Sequence, residues 1–135
     1  AVQVLGDPDA LHTWTYIDDF GEALVRLGER DEALGRAWHV PNAPTISTRA
    51  FLTQAAQIAG QPLKLQVMDK WMLRLGGLFI APAREMVEML YEFEKPYVVD
   101  HSQSAALFGD HSTPVETGLR QTLAWYQTHL AQGAH

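Results

Sequence analysis

The residue types with the clearest potential for chemistry lie close to the start of the chain, between His12 and Asp19. The imidazole of His12 can donate or accept a hydrogen bond. Trp14 and Tyr16 alternate with threonines, so the aromatic set and the hydroxyl set face opposite sides of an extended segment. One side is expected to be core and the other can line a cleft. A core position for Trp14 and a surface turn for His12 stay open as alternatives.

The adjacent carboxylates Asp18 and Asp19 are a weaker catalytic candidate. A general acid and base need carboxylates that face each other across a substrate, which neighbouring residues do not provide. Two acidic residues at the start of a helix are typical of capping and of interaction with the helix dipole. We therefore interpret this pair as structural.

Two other clusters contain suggestive residue types. Asp7, Asp9 and His12 could ligate a metal, but the spacing lacks the remaining positions of a calcium loop. The run from Asp100 to Ser102 contains the three residue types of a hydrolase triad, yet contiguous residues cannot reach that geometry. Ser102 is better interpreted as the cap of the helix that follows.

The elements that would position these residues can be predicted from local patterns. The β-branched and aromatic residues from Thr13 to Ile17 predict a short strand. Asp18 can cap the helix that follows, and Gly28 supplies its end. The apolar residues of that helix recur at helical spacing: Phe20, Ala23, Leu24 and Leu27.

The rest of the chain alternates short strands with helices. Further strands are predicted at Val2–Leu5, Ala37–Val40 and Leu63–Met68, with a brief extended segment at Tyr97–Val99. Helices are predicted after the Ser47 cap as far as Gly60, over 70–75, from Pro82 to Pro96, over Ser102–Phe108, and from the capping box that starts at Thr113. Strands joined through helices should pair in parallel, because a parallel partner needs a crossover.

Composition limits the possible functions. The chain has 135 residues, 47% of them hydrophobic and 19% charged, which favours one folded domain over disorder. The net charge is −6 and basic residues do not cluster, so neither a nucleic acid nor an anionic membrane is an expected partner. No cysteine is present, which excludes disulfides and thiolate chemistry and fits the reducing cytoplasm.

Four segments carry a family resemblance, and they follow one another in a fixed order. They are Gly6-Asp7 with Trp14-Thr15-Tyr16-Ile17-Asp18-Asp19; Trp38-His39-Val40-Pro41-Asn42 with Thr45-Ile46-Ser47; Tyr97-Val98-Val99-Asp100 with Ser104 and Leu107-Phe108-Gly109; and Thr113-Pro114-x-Glu116-x-Gly118-Leu119-Arg120-x-Thr122, closing on Trp125-Tyr126. This pattern resembles the C-terminal part of an extended short-chain dehydrogenase/reductase of the NAD-dependent epimerase/dehydratase type.

The resemblance implies an α/β fold: the mostly helical C-terminal portion of a Rossmann-type enzyme, with a few short strands and no complete dinucleotide-binding sheet. Residues 1–135 would form a single substrate-binding domain without the N-terminal Rossmann domain. The family's Gly-rich loop is absent from the sequence. Its Tyr-x-x-x-Lys pair is matched only by Tyr91 and Lys95, which precede Pro96 at a predicted helix end and are interpreted as coincidence.

The implied activity belongs to a complete enzyme that uses NAD or NADP on a small hydroxylated substrate, whereas this chain alone would bind no cofactor and would be inactive. The implied substrate-binding residues are His12, Trp14 and Tyr16. His12 stands where many relatives have an arginine that meets an anionic part of a nucleotide-sugar, which makes such a substrate doubtful. Alternatives are a small self-associating α/β binding module, and a hydrolase using His39 or His101, which no spacing supports.

Overall fold

A computed structural model describes residues 1–68, 71 and 87–132 of the chain. It divides into two compact units: unit 1 is formed by Ala1–His12 and Ile46–Tyr97, and unit 2 by Thr13–Thr45 and Val98–His135. The helix predicted over 70–75 and the start of the helix predicted at Pro82 lie outside the described residues. The prediction of a single domain over 1–135 stays a prediction.

The described elements mix helices with short strands, which confirms the α/β class. In chain order they are β1 (Val2–Leu5), β2 (Leu11–His12), α1 (Ile17–Gly28), a short 3-10 turn (Asp31–Ala33), β3 (Ile46–Ser47), α2 (Thr48–Ile58), β4 (Leu65–Met68), α3 (Tyr91–Glu94), α4 (Ser102–Phe108) and α5 (Val115–Gln132). No helix among these is both long enough and apolar enough to cross a lipid bilayer.

Unit 1 contains two small sheets. β1 pairs in parallel with β4, with Val2 opposite Leu65 and Leu5 opposite Met68, so the predicted parallel pairing is confirmed for these strands. The chain between them carries α2, the crossover that a parallel pair requires. β2 and β3 form a short antiparallel pair instead, with His12 opposite Ile46.

Helix α2 begins and ends where the sequence predicts. The hydroxyl of Ser47 accepts a hydrogen bond from the backbone N–H of Ala50 at 3.2 Å, which satisfies one of the free donors in the first turn. The helix ends at Ile58, and Gly60 follows with a positive φ of 65°. The residue that adopts a left-handed conformation after a helix is commonly glycine, because glycine lacks the Cβ that would clash with the backbone.

The turn between β1 and β2 is tied to the start of α2. The guanidinium of Arg49 donates to both carboxylate oxygens of Asp9, at 2.7 and 2.9 Å, and the Arg49 backbone N–H donates to the carbonyl of Pro8 at 2.8 Å. The hydrogen bond from Arg49 lowers the pKa of Asp9. This ion pair gives Asp9 a structural role.

In unit 2 the strand predicted over Thr13–Ile17 is wrong. Residues 13–16 belong to no strand, and α1 already begins at Ile17. The threonine hydroxyls hold this segment, since Thr13 bonds to the Thr45 hydroxyl at 3.2 Å and accepts from the Val99 N–H at 2.9 Å. Side-chain hydrogen bonds therefore replace a strand ladder.

The expected cap of α1 is also wrong. Tyr16 occupies the N-cap position, with no capping hydrogen bond from its side chain, and Asp18 lies inside the first turn. The second carboxylate, Asp19, is buried and accepts hydrogen bonds from the backbone N–H and the hydroxyl of Thr113, at 2.6 and 2.5 Å. Asp19 thus joins α1 to the start of α5.

The strand predicted at Ala37–Val40 is not formed either. The Trp38 indole donates to the carbonyl of Ala33 at 2.9 Å, and the ring packs edge-on against Phe108 at 5.2 Å. Pro41 is fully buried directly after this segment and cannot donate to a ladder. Individual side chains hold the segment, so its β-like composition does not produce a strand.

Helix α4 covers Ser102–Phe108 as predicted, but Ser102 is not its cap. The N-cap residue is His101, and the carboxylate of Asp100 accepts the Ser102 N–H at 2.9 Å. That hydrogen bond is the main cause of the lowered pKa of Asp100. Asp100 thereby supplies a partner for one of the free donors at the start of the helix.

Replacing Asp19 by alanine should destabilise unit 2 by about 3 kcal/mol, because Thr113 would lose two charge-assisted hydrogen bonds at a buried site. The matched control is Asp18→Ala, which removes an exposed carboxylate from the same turn and should cost less than about 1 kcal/mol. Urea unfolding followed by circular dichroism measures both. Equal losses would show that the Asp19 bonds add nothing.

Candidate ligand-binding sites

Unit 1 contains an open pocket of about 550 Å³ that we call the His12 pocket. Its lining residues are His12, Tyr91, Glu92, Phe93, Lys95, Pro96 and Tyr97. The volume lies within the range usual for small-molecule sites. One of the three predicted substrate-binding residues, His12, is therefore placed at a cavity.

The backbone around His12 is held from two sides. On one side His12 pairs with Ile46 of β3, and on the other it forms a parallel bridge with Tyr97. The Tyr97 N–H donates to the carbonyl of Leu11 at 2.8 Å. These bonds fix the half-buried His12 beside the segment that supplies the other lining residues.

Phe93 is positioned by the turn after β1. Its carbonyl accepts the N–H of Asp7 at 3.0 Å, and its own N–H donates to the carbonyl of Leu90, which is fully buried. Gly6 lies against the same backbone, because a Cβ placed on it would be 2.7 Å from the carbonyl carbon and oxygen of Phe93. With its φ of 68°, Gly6 allows this close approach.

The pocket offers hydrogen-bonding groups of mixed character. Lys95 contributes a cation and Glu92 an anion, while the Tyr91 hydroxyl contacts a carboxylate oxygen of Glu92 at 3.3 Å. Tyr97 adds a second phenol and is exposed. Such a set of donors and acceptors matches a ligand rich in hydroxyl groups better than a purely apolar one.

Sequence analysis did not identify Lys95 and Tyr97 as neighbours of His12. α3 ends at Glu94, and Lys95 follows it with an extended backbone, so Tyr91 and Lys95 do not share a continuous helix. The sequence feature that indicates Tyr97 is the extended segment predicted at Tyr97–Val99. Its pairing with His12 depends on the folded structure and could not be assigned from local pattern.

The turn after β1 is where a parallel strand could present a loop to a dinucleotide. Its space is filled by the Phe93 backbone, which would meet any Cβ on Gly6 at 2.7 Å. The turn also carries the carboxylate of Asp7, while the carboxylate of Asp9 is paired with the guanidinium of Arg49. The unpaired charge that this turn presents is therefore negative, which disfavours an anionic group such as a pyrophosphate.

Unit 2 contains a second open cavity of about 550 Å³, which we call the Tyr16 groove. It is formed by the start of α1 and the middle of α5. Its lining residues are Tyr16, Ile17, Asp18, Gln121, Thr122, Trp125 and Tyr126. Tyr16 and His12 belong to different units, so the structure assigns each to its own cavity.

The ring of Tyr16 lies against α5 at Gly118. A Cβ on Gly118 would be 3.1 Å from the Tyr16 ring, which is closer than side chains normally pack. The Tyr16 hydroxyl donates to the Asp18 carboxylate at 2.8 Å, and this bond is the main cause of the raised pKa of Tyr16. In the sequence, this contact is indicated only by a glycine, Gly118, inside the predicted last helix.

The third predicted residue, Trp14, is half-buried in the extended segment 13–16 of unit 2. Its assignment as a substrate-binding residue stays a prediction, as does that of His12 and of Tyr16.

The hydrolase alternative centres on His39 and His101, which both lie in unit 2. His39 lies 2.8 Å from the carbonyl of Asp100 through Nδ1, and the Nε2 atom of His101 is 3.9 Å from the carboxylate of Asp110. The Asp100 carboxylate binds the helix start, so it does not orient either imidazole as a triad would. Within residues 1–68, 71 and 87–132, no three His, Asp or Glu side chains are grouped to hold a metal ion.

Comparison with known proteins assigns this chain to no family. No protein-family model, curated protein or solved structure matches this chain.

Replacing Gly6 by alanine should reduce the free energy of unfolding by at least about 2 kcal/mol. The new Cβ must displace the Phe93 backbone, and the alanine must also adopt a left-handed backbone conformation. Gly60→Ala is the control in the same unit, with a φ of 65° and nothing within 4 Å of the added atom. It should cost about 1 kcal/mol. Denaturant midpoints compare the two, and a Gly6 variant no less stable than the Gly60 variant would contradict the close approach.

Proposed function

We propose that this chain is the substrate-binding portion of an NAD(P)-dependent oxidoreductase similar to the epimerases and dehydratases of the extended short-chain dehydrogenase/reductase type. The His12 pocket binds the hydroxyl groups of its small substrate. The observation that carries the proposal is that His12, Lys95 and Tyr97, which bear an imidazole, an ammonium and a phenol, line the same pocket.

The chemistry of the pocket supports a neutral or weakly charged polyol. Lys95 and Glu92 have opposite charges, so a strongly anionic ligand would gain one attraction and meet one repulsion. Hydroxyl groups can donate to Glu92 and accept from Lys95, which satisfies both. This agrees with the doubt about a nucleotide-sugar that arises from a histidine in place of an arginine.

Several elements that carry the resemblance support the proposal. Ser47 caps α2, α4 ends at Phe108 before Gly109, and α5 begins directly after Thr113-Pro114. These helix boundaries are the ones that the compared segments imply. A Rossmann-type origin of the fold is part of the proposal and rests on these segments of sequence.

In the complete enzyme, which would act in the cytoplasm, a dinucleotide-binding half would hold a nicotinamide cofactor, and that cofactor would supply hydride-transfer chemistry. The residues of this chain bind and orient the substrate. Exposed apolar side chains such as Leu24 on α1 and Leu130 on α5 suit contact with such a half or with a second copy.

The proposal is tested by titrating the chain with glucose and following saturation transfer from protein to ligand by NMR. Replacing His12 by alanine should weaken binding about tenfold, because one hydrogen bond to the ligand is lost. His39→Ala is the matched control, since His39 is an exposed histidine of unit 2. Glucose binding that is absent, or equally weakened by both variants, would refute a polyol site at His12.

The separation of substrate and cofactor binding has its own test. The fluorescence of NADH should not change when the chain is added, because the sequence has no Gly-rich loop to hold the pyrophosphate. Binding in the micromolar range would contradict the assignment of this chain as a substrate-binding portion alone.

A further inference from the structure

The Tyr16 groove in unit 2 has an unusual combination of lining residues. Three of the seven are aromatic, one is aliphatic, two are neutral and polar, and one, Asp18, is acidic. None of these seven described residues is basic. The groove therefore combines aromatic surface with a single negative charge.

The aromatic surface is open to solvent. Trp125 is 54% exposed and Tyr126 is 53% exposed, and their rings meet edge to face with centroids 5.0 Å apart. The imidazole of His129 stacks on the Trp125 ring at 3.9 Å, and its Nδ1 lies 2.9 Å from the Trp125 carbonyl. These contacts restrict the indole while a large part of it stays accessible.

The negative charge at the groove is held in place. The Tyr16 hydroxyl donates to one oxygen of Asp18, which orients the carboxylate at the start of α1. The helix start contributes only a partial positive charge, about half an elementary charge, so Asp18 leaves the local sign negative. The raised pKa of Tyr16, caused mainly by its bond to Asp18, is consistent with this sign.

These properties discriminate between kinds of ligand. An apolar segment placed on the groove would bury the Asp18 carboxylate without a counter-charge, which is costly. An anion would be repelled by the same carboxylate. An organic cation satisfies both features, because the negative faces of aromatic rings and a carboxylate attract it together.

We propose that the Tyr16 groove binds a small organic ammonium ion, with its charged head against Asp18 and the rings of Trp125 and Tyr126. A volume of about 550 Å³ accommodates a ligand of this class. The site lies in unit 2, and it is independent of the proposed polyol site in the His12 pocket.

The test compares choline with 3,3-dimethyl-1-butanol, which has the same shape but no charge. Both are titrated into the full chain while the indole N–H signal of Trp125 is followed by NMR, and Trp125→Leu assigns that signal. Choline should bind about tenfold or more tightly than the neutral compound, because only the cation gains the ring and carboxylate attractions. Equal affinities, or no response to choline, would overturn the proposal.

Variants locate the charge that matters. Asp18→Asn should weaken choline binding about tenfold, whereas Glu116→Gln, an exposed carboxylate of α5 that pairs with Arg120, should leave it unchanged. Tyr16→Phe keeps the ring but removes the hydroxyl that orients the Asp18 carboxylate, so it should weaken choline binding less than Asp18→Asn does. Equal effects of Asp18→Asn and Glu116→Gln would show that the general negative charge of the chain, and no specific site, attracts the ligand.

Discussion

The close approach of Gly6 to the backbone of Phe93 is the constraint on which the candidate site depends. It lets the Phe93 carbonyl accept the N–H of Asp7, and so holds the segment that follows α3 beside β1. The bridge between His12 and Tyr97 continues the same alignment. The His12 pocket forms between these two attachments, so its shape follows from a backbone contact that only glycine permits.

Unit 2 depends on a different kind of contact. A buried carboxylate, Asp19, accepts two hydrogen bonds from Thr113 and fixes the start of α5 against α1. The neighbouring carboxylate, Asp18, stays exposed and faces the Tyr16 groove. Two adjacent residues of the same type thus divide into a structural and a potential binding role, because successive positions on a helix point in different directions.

The parts of the fold that were predictable depend on local interactions. The Ser47 cap of α2 and the boundaries of α4 are predicted from residues a few positions apart, and both are confirmed. The strand expected from Thr13 onward failed because threonine hydroxyls bind distant partners instead of leaving the backbone to form a ladder. Hydropathy also failed to identify the buried side of α1, where Asp19 is buried and Leu24 is 56% exposed. His12 and Tyr97 are far apart in the sequence, so their pairing could not be predicted from a local pattern.

The central claim is that the His12 pocket binds a hydroxylated small molecule, and intermolecular nuclear Overhauser contacts test it most directly. With glucose present, contacts should appear between the sugar protons and the ring protons of His12 and Tyr97. Contacts confined to Trp125 and Tyr126, or no contacts at all, would contradict the account.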